Sequence, residues 1–175
     1  AIAVNPGASE ICNGIDDDCD GATDDADSSV DLSTGGTWYS DNDGDGYGDS
    51  ASPITACDQP SGAVTDTTDC DDTAGSVNPG ETEICNEIDD DCDGFIDDAD
   101  SSVDLSTGTT WYTDTDGDGY GTTASGTDAC DAPSSGVALD GDCDDADTAY
   151  NPGAALGCDG EDYDCDGNVD NDGDL

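Results

Sequence analysis

The sequence predicts a mostly irregular tandem repeat with a few short β-strands and little helix. Three observations predict it. Landmarks recur at a fixed interval of 73 residues: Asn5-Pro6-Gly7 returns at Asn78-Pro79-Gly80 and again at Asn151-Pro152-Gly153. Leu, Ile, Val and Phe together make up 20 of 175 residues, too few to build a large apolar core. No window sustains a 3.6-residue apolar period, so no helix longer than a turn or two is expected.

Each repeat divides into two halves. An A half runs from N-P-G through C-N-x-I-D-D-D-C-D-G to a D-L-S-T-G stretch, and a B half runs from a Trp-Tyr pair through D-x-D-G-D-G-Y-G to D-C-D-D. The divisions fall at 1–35 (A), 36–73 (B), 74–108 (A), 109–146 (B) and 147–175, a degenerate A half with Leu156, Gly157 and Glu161 where the first copy has Glu10, Ile11 and Ile15. Such atypical end units are usual in repeat arrays. Short strands are expected at 36–40 and 109–113, with further ones near Val64 and Val137. The rest is Gly, Asp, Asn, Ser and Thr, which favour turns. DDADSSVDLSTG at 24–35 returns unchanged at 97–108.

Charge comes next. The chain carries 47 Asp and Glu and no Lys, Arg or His. A compact fold of that composition repels itself, and no side chain offers a salt bridge. Positive charge must come from bound cations. The same imbalance excludes nucleic acid as a direct partner, and no apolar stretch is long enough for membrane insertion.

The aspartates fall at the spacing of EF-type loops, in which positions 1, 3, 5, 9 and 12 supply oxygens, 6 is Gly and 7 gives a backbone carbonyl. The first A half offers Asp16, Asp18, Asp20, Ala22, Asp24 and Asp27. The second offers Asp89, Asp91, Asp93, Phe95, Asp97 and Asp100, and the third Asp162, Asp164, Asp166, Asn168 and Asp170, with Gly173 at position 12. The B halves offer Asp41, Asp43, Asp45, Tyr47 and Asp49, then Asp114, Asp116, Asp118 and Tyr120, with Thr122 at position 9. Hard oxygen ligands on flexible loops suit Ca2+, at five sites or more, and without flanking helices the role expected of it is structural. Glu10, Glu83, Asp69, Asp71, Asp72, Asp142, Asp144 and Asp145 lie outside the loop register. Further ion binding, capping of neighbouring loops and plain exposure all stand open for them.

Ten cysteines in so weakly apolar a chain point to disulfides and an oxidising compartment. Local pairing is the most economical: Cys12 with Cys19, Cys57 with Cys70, Cys85 with Cys92, Cys130 with Cys143 and Cys158 with Cys165. A staggered alternative joins Cys19 to Cys57 and Cys70 to Cys85, leaving Cys12 and Cys165 for links between chains. The spacings are wrong for zinc. The absence of an initial Met suggests a mature, exported form.

The pattern D-C-D-D…N-P-G-A-x-E-x-C-N-G-x-D-D-D-C-D-G at 69–94, 5–21 and, loosely, 142–167 resembles the metal-binding repeat family named for the methanotroph surface protein MopE. Glu87 stands where that family usually has Gly. The W-Y-x-D-x-D-G-D-G-Y-G runs at 38–48 and 111–121 are of the same style. The resemblance implies a secreted or surface-attached protein. It does not carry copper over, since His is absent. The loops are also similar to thrombospondin type 3 and dockerin calcium loops, which implies a disulfide-stapled calcium array.

The expected function is that of a non-enzymatic, extracellular structural protein, assembling head to tail into a homopolymer at the cell surface. Calcium sits in its loops and, through Asp170, Asp172 and Asp174, at its subunit contacts. An alternative is a calcium-dependent adhesion module in which Trp38, Trp111, Tyr47 and Tyr120 meet a ligand. An enzyme is not expected, because only carboxylates remain for acid–base work and calcium would hold them ionised.

Overall fold

The computed structural model describes residues 4–169. The chain divides into two compact units, Ala1–Glu81 with Asp89–Gly94, and Thr82–Ile88 with Phe95–Leu175. Each is built on a small antiparallel sheet. In the first unit β1 (Gly36–Ser40) lies between β2 (Pro53–Ala56) and β3 (Ala63–Val64), with Trp38 opposite Ile54 and Tyr39 opposite both Pro53 and Val64. In the second, β4 (Thr109–Thr113) lies between β5 (Thr127–Ala129) and β6 (Gly136–Val137), with Trp111 opposite Thr127 and Tyr112 opposite Val137. β1, β3, β4 and β6 fall where the Trp-Tyr pairs and the two valines predict them. β2 and β5 are additional. Pro-Ile-Thr-Ala and Thr-Asp-Ala carry no strand period of their own, and the return of the preceding loop places them. Among the described residues, helix is confined to 3-10 turns of three residues, such as Asp24–Ala26 and Leu32–Thr34.

The interior is carboxylate rather than hydrocarbon. The buried apolar side chains are Ala56, Ala63 and Val77, whereas the largest fully buried ones are Glu10, Glu83 and Asp17. Ile15, Ile88, Phe95 and Leu139 are exposed. A buried carboxylate is costly unless it is hydrogen-bonded or paired with a cation. Glu10, 0% exposed, accepts from the Asp17 N–H through Oε2 (2.7 Å) and the Asp24 N–H through Oε1 (3.0 Å), so it organises the A loop from within. In the degenerate last half an aromatic pair appears instead. Tyr163, at the position of Asp17, stacks on Tyr150 with ring centroids 4.9 Å apart. Its hydroxyl donates to Asp159 (2.8 Å), which pushes the Tyr163 pKa up to about 12. The scaffold survives the exchange. The Asn151 N–H still donates to the carbonyl of Tyr163, as the Asn5 N–H does to that of Asp17.

The disulfides correct the sequence reading. They join Cys12 to Cys57, Cys70 to Cys92, Cys85 to Cys130 and Cys143 to Cys165. Neither the local nor the staggered scheme occurs. The two cysteines of an A half leave its loop toward different neighbours. The first meets the following B half at the end of β2 or β5, and the second meets a preceding D-C-D-D segment. Cys19, Cys92 and Cys165 all adopt left-handed backbone, with φ of 62°, 58° and 57°, which turns the chain away from the first cysteine. Gly35 clears the other junction, since a Cβ there would stand 2.7 Å from the Ala56 carbonyl oxygen and 3.0 Å from Cys12 Sγ. Cys19 and Cys158, predicted as disulfide partners, lie outside all four links and are exposed.

The unchanged 24–35 and 97–108 stretches are explained by what they hold. Asp25 accepts from the N–H groups of Cys57 and Asp58 (both 2.8 Å), and Asp98 from those of Cys130 and Asp131 (both 2.9 Å), so each clamps the B half beside its disulfide. Thr34 Oγ1 accepts from the Cys12 N–H (3.0 Å), as Thr107 Oγ1 does from the Cys85 N–H (2.9 Å). Asp31 and Asp104 cap 3-10 turns by accepting from the Ser33 and Ser106 N–H groups. These serines hold both aspartate pKa values below the ordinary 3.8, chiefly through a side-chain hydrogen bond and then through the amide. The ionised aspartate is the acceptor. The cap therefore contributes fully above 3.8 and is lost as pH falls through the lowered folded value. In an NMR titration the Ser33 and Ser106 amide protons are expected to move with midpoints below 3.8; a midpoint at or above it would contradict the capping geometry.

Candidate metal centres

Five loops share one construction. Position 6 is glycine with positive φ in each: Gly21 (100°), Gly46 (98°), Gly94 (93°), Gly119 (98°) and Gly167 (88°). An L side chain rarely adopts that backbone, and the turn folds the carboxylates of positions 1, 3 and 5 inward. In the first A half Asp16 accepts from the Gly21 N–H (3.1 Å), Asp18 from the Asp20 N–H (3.1 Å) and Asp20 from the Ala22 N–H (2.8 Å). Asp16, Asp18 and Asp20 each bring a carboxylate oxygen within 4.8 Å of the others, and so do Glu10, Asp18 and Asp27. Asp27 at position 12 is 4% exposed, and its Oδ2 is buried without a hydrogen-bond partner. Desolvation raises the Asp18 pKa, helped by the charges of Asp20, Asp27 and Asp16.

The other A loops repeat this frame. Asp89 accepts from the Asp93 (3.1 Å) and Gly94 (3.0 Å) N–H groups, and Asp162 accepts from the Gly167 N–H (3.0 Å). Asp162 Oδ1 is buried without a hydrogen-bond partner. Asp164 accepts from the Asp166 N–H (3.3 Å) and Asp166 from the Asn168 N–H (2.7 Å). Asp100 is buried. Asp170, and with it the expected contact through Asp172 and Asp174, lies outside the described residues.

Each B loop is the connection of a hairpin. Between β1 and β2 it is closed where the Ser40 N–H donates to the Ser52 carbonyl (3.2 Å) and the Asp49 N–H to the Ser40 carbonyl (3.0 Å). Asp41, Asp43 and Asp45 converge within 4.8 Å, and so do Asp43, Asp69 and Asp72. In the second copy Asp114 accepts from the Gly117 (2.7 Å) and Gly119 (3.0 Å) N–H groups, and Asp118 from the Tyr120 N–H (2.9 Å). Asp72 accepts from the Asn42 N–H (2.7 Å) and Asp145 from that of Thr115 (2.7 Å), fixing the D-C-D-D segment beside the loop. Desolvation, then neighbouring carboxylates, raises the pKa of Asp69, Asp116 and Asp142.

At position 9 the carboxylates of three loops accept hydrogen bonds from the scaffold. Asp24 Oδ1 accepts from the Asn13 and Gly14 N–H groups (2.9 and 3.0 Å), Asp97 Oδ1 from those of Asn86 and Glu87 (2.9 and 3.2 Å), and Asp49 from the Ala51 N–H and the Ser52 hydroxyl (both 2.7 Å). Spacing alone does not distinguish a turn cap from a ligand. The loops also gather residues outside the register: Glu10 in the first A half, and Asp69 and Asp72 in the first B half. Their fixed offset from the cysteines was the sequence signal.

The aromatics pack against the scaffold. Trp38 Nε1 donates to the Ala56 carbonyl (3.4 Å) and Trp111 Nε1 to that of Ala129 (3.2 Å). The Tyr47 hydroxyl crowds Gly80 of the next N-P-G turn and the Tyr120 hydroxyl crowds Gly153, where in each case a Cβ would stand 2.9 Å away.

Recurrent carboxylate loops, glycine-turned and disulfide-stapled, define a metal-binding tandem-repeat protein. The chain carries three copies of a MopE-type motif. The family model Cu-binding MopE, described as "Putative metal-binding motif", matches residues 1–25, 69–98 and 142–171. No curated protein and no solved structure matches the chain. The B loops lie outside the three matched segments. The donors in all five loops are carboxylates, and the buried oxygens without hydrogen-bond partners fit a hard divalent cation rather than copper.

Proposed function

We propose that this is an extracellular, non-enzymatic structural protein that binds calcium in its five loops and associates head to tail into a surface filament. The observation that carries the calcium reading is the set of buried carboxylate oxygens without hydrogen-bond partners in a chain that has no cationic side chain. Their hard donor chemistry on glycine turns suits Ca2+. Four disulfides support an oxidising, extracellular setting. No described helix is long and apolar enough to cross a membrane. The carboxylates that converge do so in the loops, where a bound cation would hold them ionised and unsuited to acid–base catalysis.

Head-to-tail association follows the logic of a repeat array, in which each unit contacts its neighbours. It does not run through a Cys19 disulfide, because Cys70 and Cys143 of the two D-C-D-D segments are already taken. The packing of Trp38, Tyr47 and their counterparts against the scaffold favours this structural role over ligand contact. Calorimetric titration with calcium should give at least five ions per chain, with magnesium competing weakly. Electron microscopy in calcium should show filaments that shorten after chelation. Failure to bind calcium refutes the reading as a whole, while single particles in saturating calcium refute only the filament.

A further inference from the structure

The two B loops share a feature that the EF register does not contain. Asp69 is 8% exposed and Asp142 is 5% exposed. Each commits Oδ1 to the amide two residues ahead, Asp71 N–H or Asp144 N–H (both 2.8 Å), and holds Oδ2 buried without a hydrogen-bond partner. The Oδ2 atoms of Asp43 and Asp45 in the first loop, and of Asp116 and Asp118 in the second, are buried in the same state. The same three positions are thus affected in both copies. No donor reaches these oxygens, and the chain has no cationic side chain to approach them. We propose that each B half holds a divalent cation whose shell is closed from outside the loop, by Asp69 in the first repeat and by Asp142 in the second.

Distance supports a common ion. Two oxygens bound to one calcium at about 2.4 Å stand no more than about 4.8 Å apart. Asp43, Asp69 and Asp72 meet that limit. The backbone delivers the residue. A bridge pairs Asp49 with Asp69, and in the second copy Gly121 pairs with Asp140 while the Asp142 N–H donates to the Gly121 carbonyl (3.2 Å). The register alternative is weak in both loops, because Asp49 is engaged by Ala51 and Ser52, and Thr122 offers no carboxylate. The ion therefore fastens the B loop to the D-C-D-D segment that opens the next motif.

This assignment rests on the calcium reading above, and its test separates the two. Calcium titrations of the full chain are compared with Asp69→Asn, Asp142→Asn and Asp49→Asn. We expect each of D69N and D142N to weaken one site at least tenfold or remove it, and D49N to weaken binding less than threefold. Calcium binding that D69N and D142N leave unchanged overturns the assignment alone, as does a larger loss from D49N. No calcium binding by the unmodified chain overturns both readings. Should the variants misfold, NMR of the unmodified chain decides. The carboxyl carbons of Asp69 and Asp142 shift on calcium addition if the assignment holds, and static signals there, with calcium bound, refute it.

Discussion

Chelating calcium should unfold the chain between its disulfides. Folding places 47 negative charges in a small volume with no positive side chain among them, and it buries Glu10, Glu83 and Asp17 where a soluble domain buries Leu or Phe. Each site saturated at a hundred times its dissociation constant stabilises the fold by about 2.7 kcal/mol. Five such sites contribute about 13.5 kcal/mol, near the top of the roughly 5–15 kcal/mol stability of a typical domain. Among the described residues only Ala56, Ala63 and Val77 are buried apolar side chains, and nothing else in that interior replaces the contribution. Chelator at low salt should abolish the near-ultraviolet circular dichroism of Trp38 and Trp111. It should also expand the chain toward, though not to, the roughly 44 Å radius of an unfolded polymer of this length. Added salt should oppose the expansion without restoring the aromatic signal, because screening weakens repulsion but does not occupy a ligand shell. An unchanged spectrum in chelator would remove the basis for metal as the organising element.

The second large effect is covalent. Eliminating the Cys12–Cys57 link by a Cys12→Ser, Cys57→Ser double substitution should cost about 4 kcal/mol, from the entropy of a 45-residue loop. The 22-residue loop of Cys70–Cys92 should be worth about 3.4 kcal/mol. The local scheme, closing loops of seven residues in the A halves, would have given about 2.4 kcal/mol there. At 4–8 °C per kcal/mol for a unit of this size, the first change lowers the calcium-loaded midpoint by on the order of 15–30 °C. Trypsin finds no site in a chain without Lys or Arg. An aspartate-directed protease therefore provides the peptides for mapping. A recovered peptide joining Cys12 directly to Cys19 would contradict the architecture.

Much of this was legible in the residues, and the parts that were not share a cause. The glycine at position 6 was legible because the turn itself demands it: glycine stands where φ is positive, as at Gly46 and Gly119. The strands at 36–40 and 109–113 followed from Trp-Tyr pairs in a chain with few other large side chains. The disulfides did not follow, because a seven-residue spacing states proximity in sequence and not the direction in which each sulfur leaves a loop. Position 9 is ambiguous for a related reason, since Asp24 and Asp49 suit an Asx cap as well as a cation. Asp69 and Asp142 stayed ambiguous because their partners lie more than 20 residues away, across a hairpin whose closing strand, β2 or β5, carries no pattern of its own.

The disulfide pattern also decides where the molecule is fragile. A peptide bond cut anywhere from 12 to 57, or from 70 to 130, leaves the pieces joined, because a disulfide spans every such point. Within the linked region the backbone is the sole covalent thread along 58–69 and 131–142. Those segments lead to Asp69 and Asp142. Under tension or protease attack the protein thus has two kinds of joint in series. One kind yields only to a reductant. With the B-half cations bound as proposed, the other depends on the supply of divalent ions, so a change in the surrounding water would soften it while every sulfur bridge stays intact.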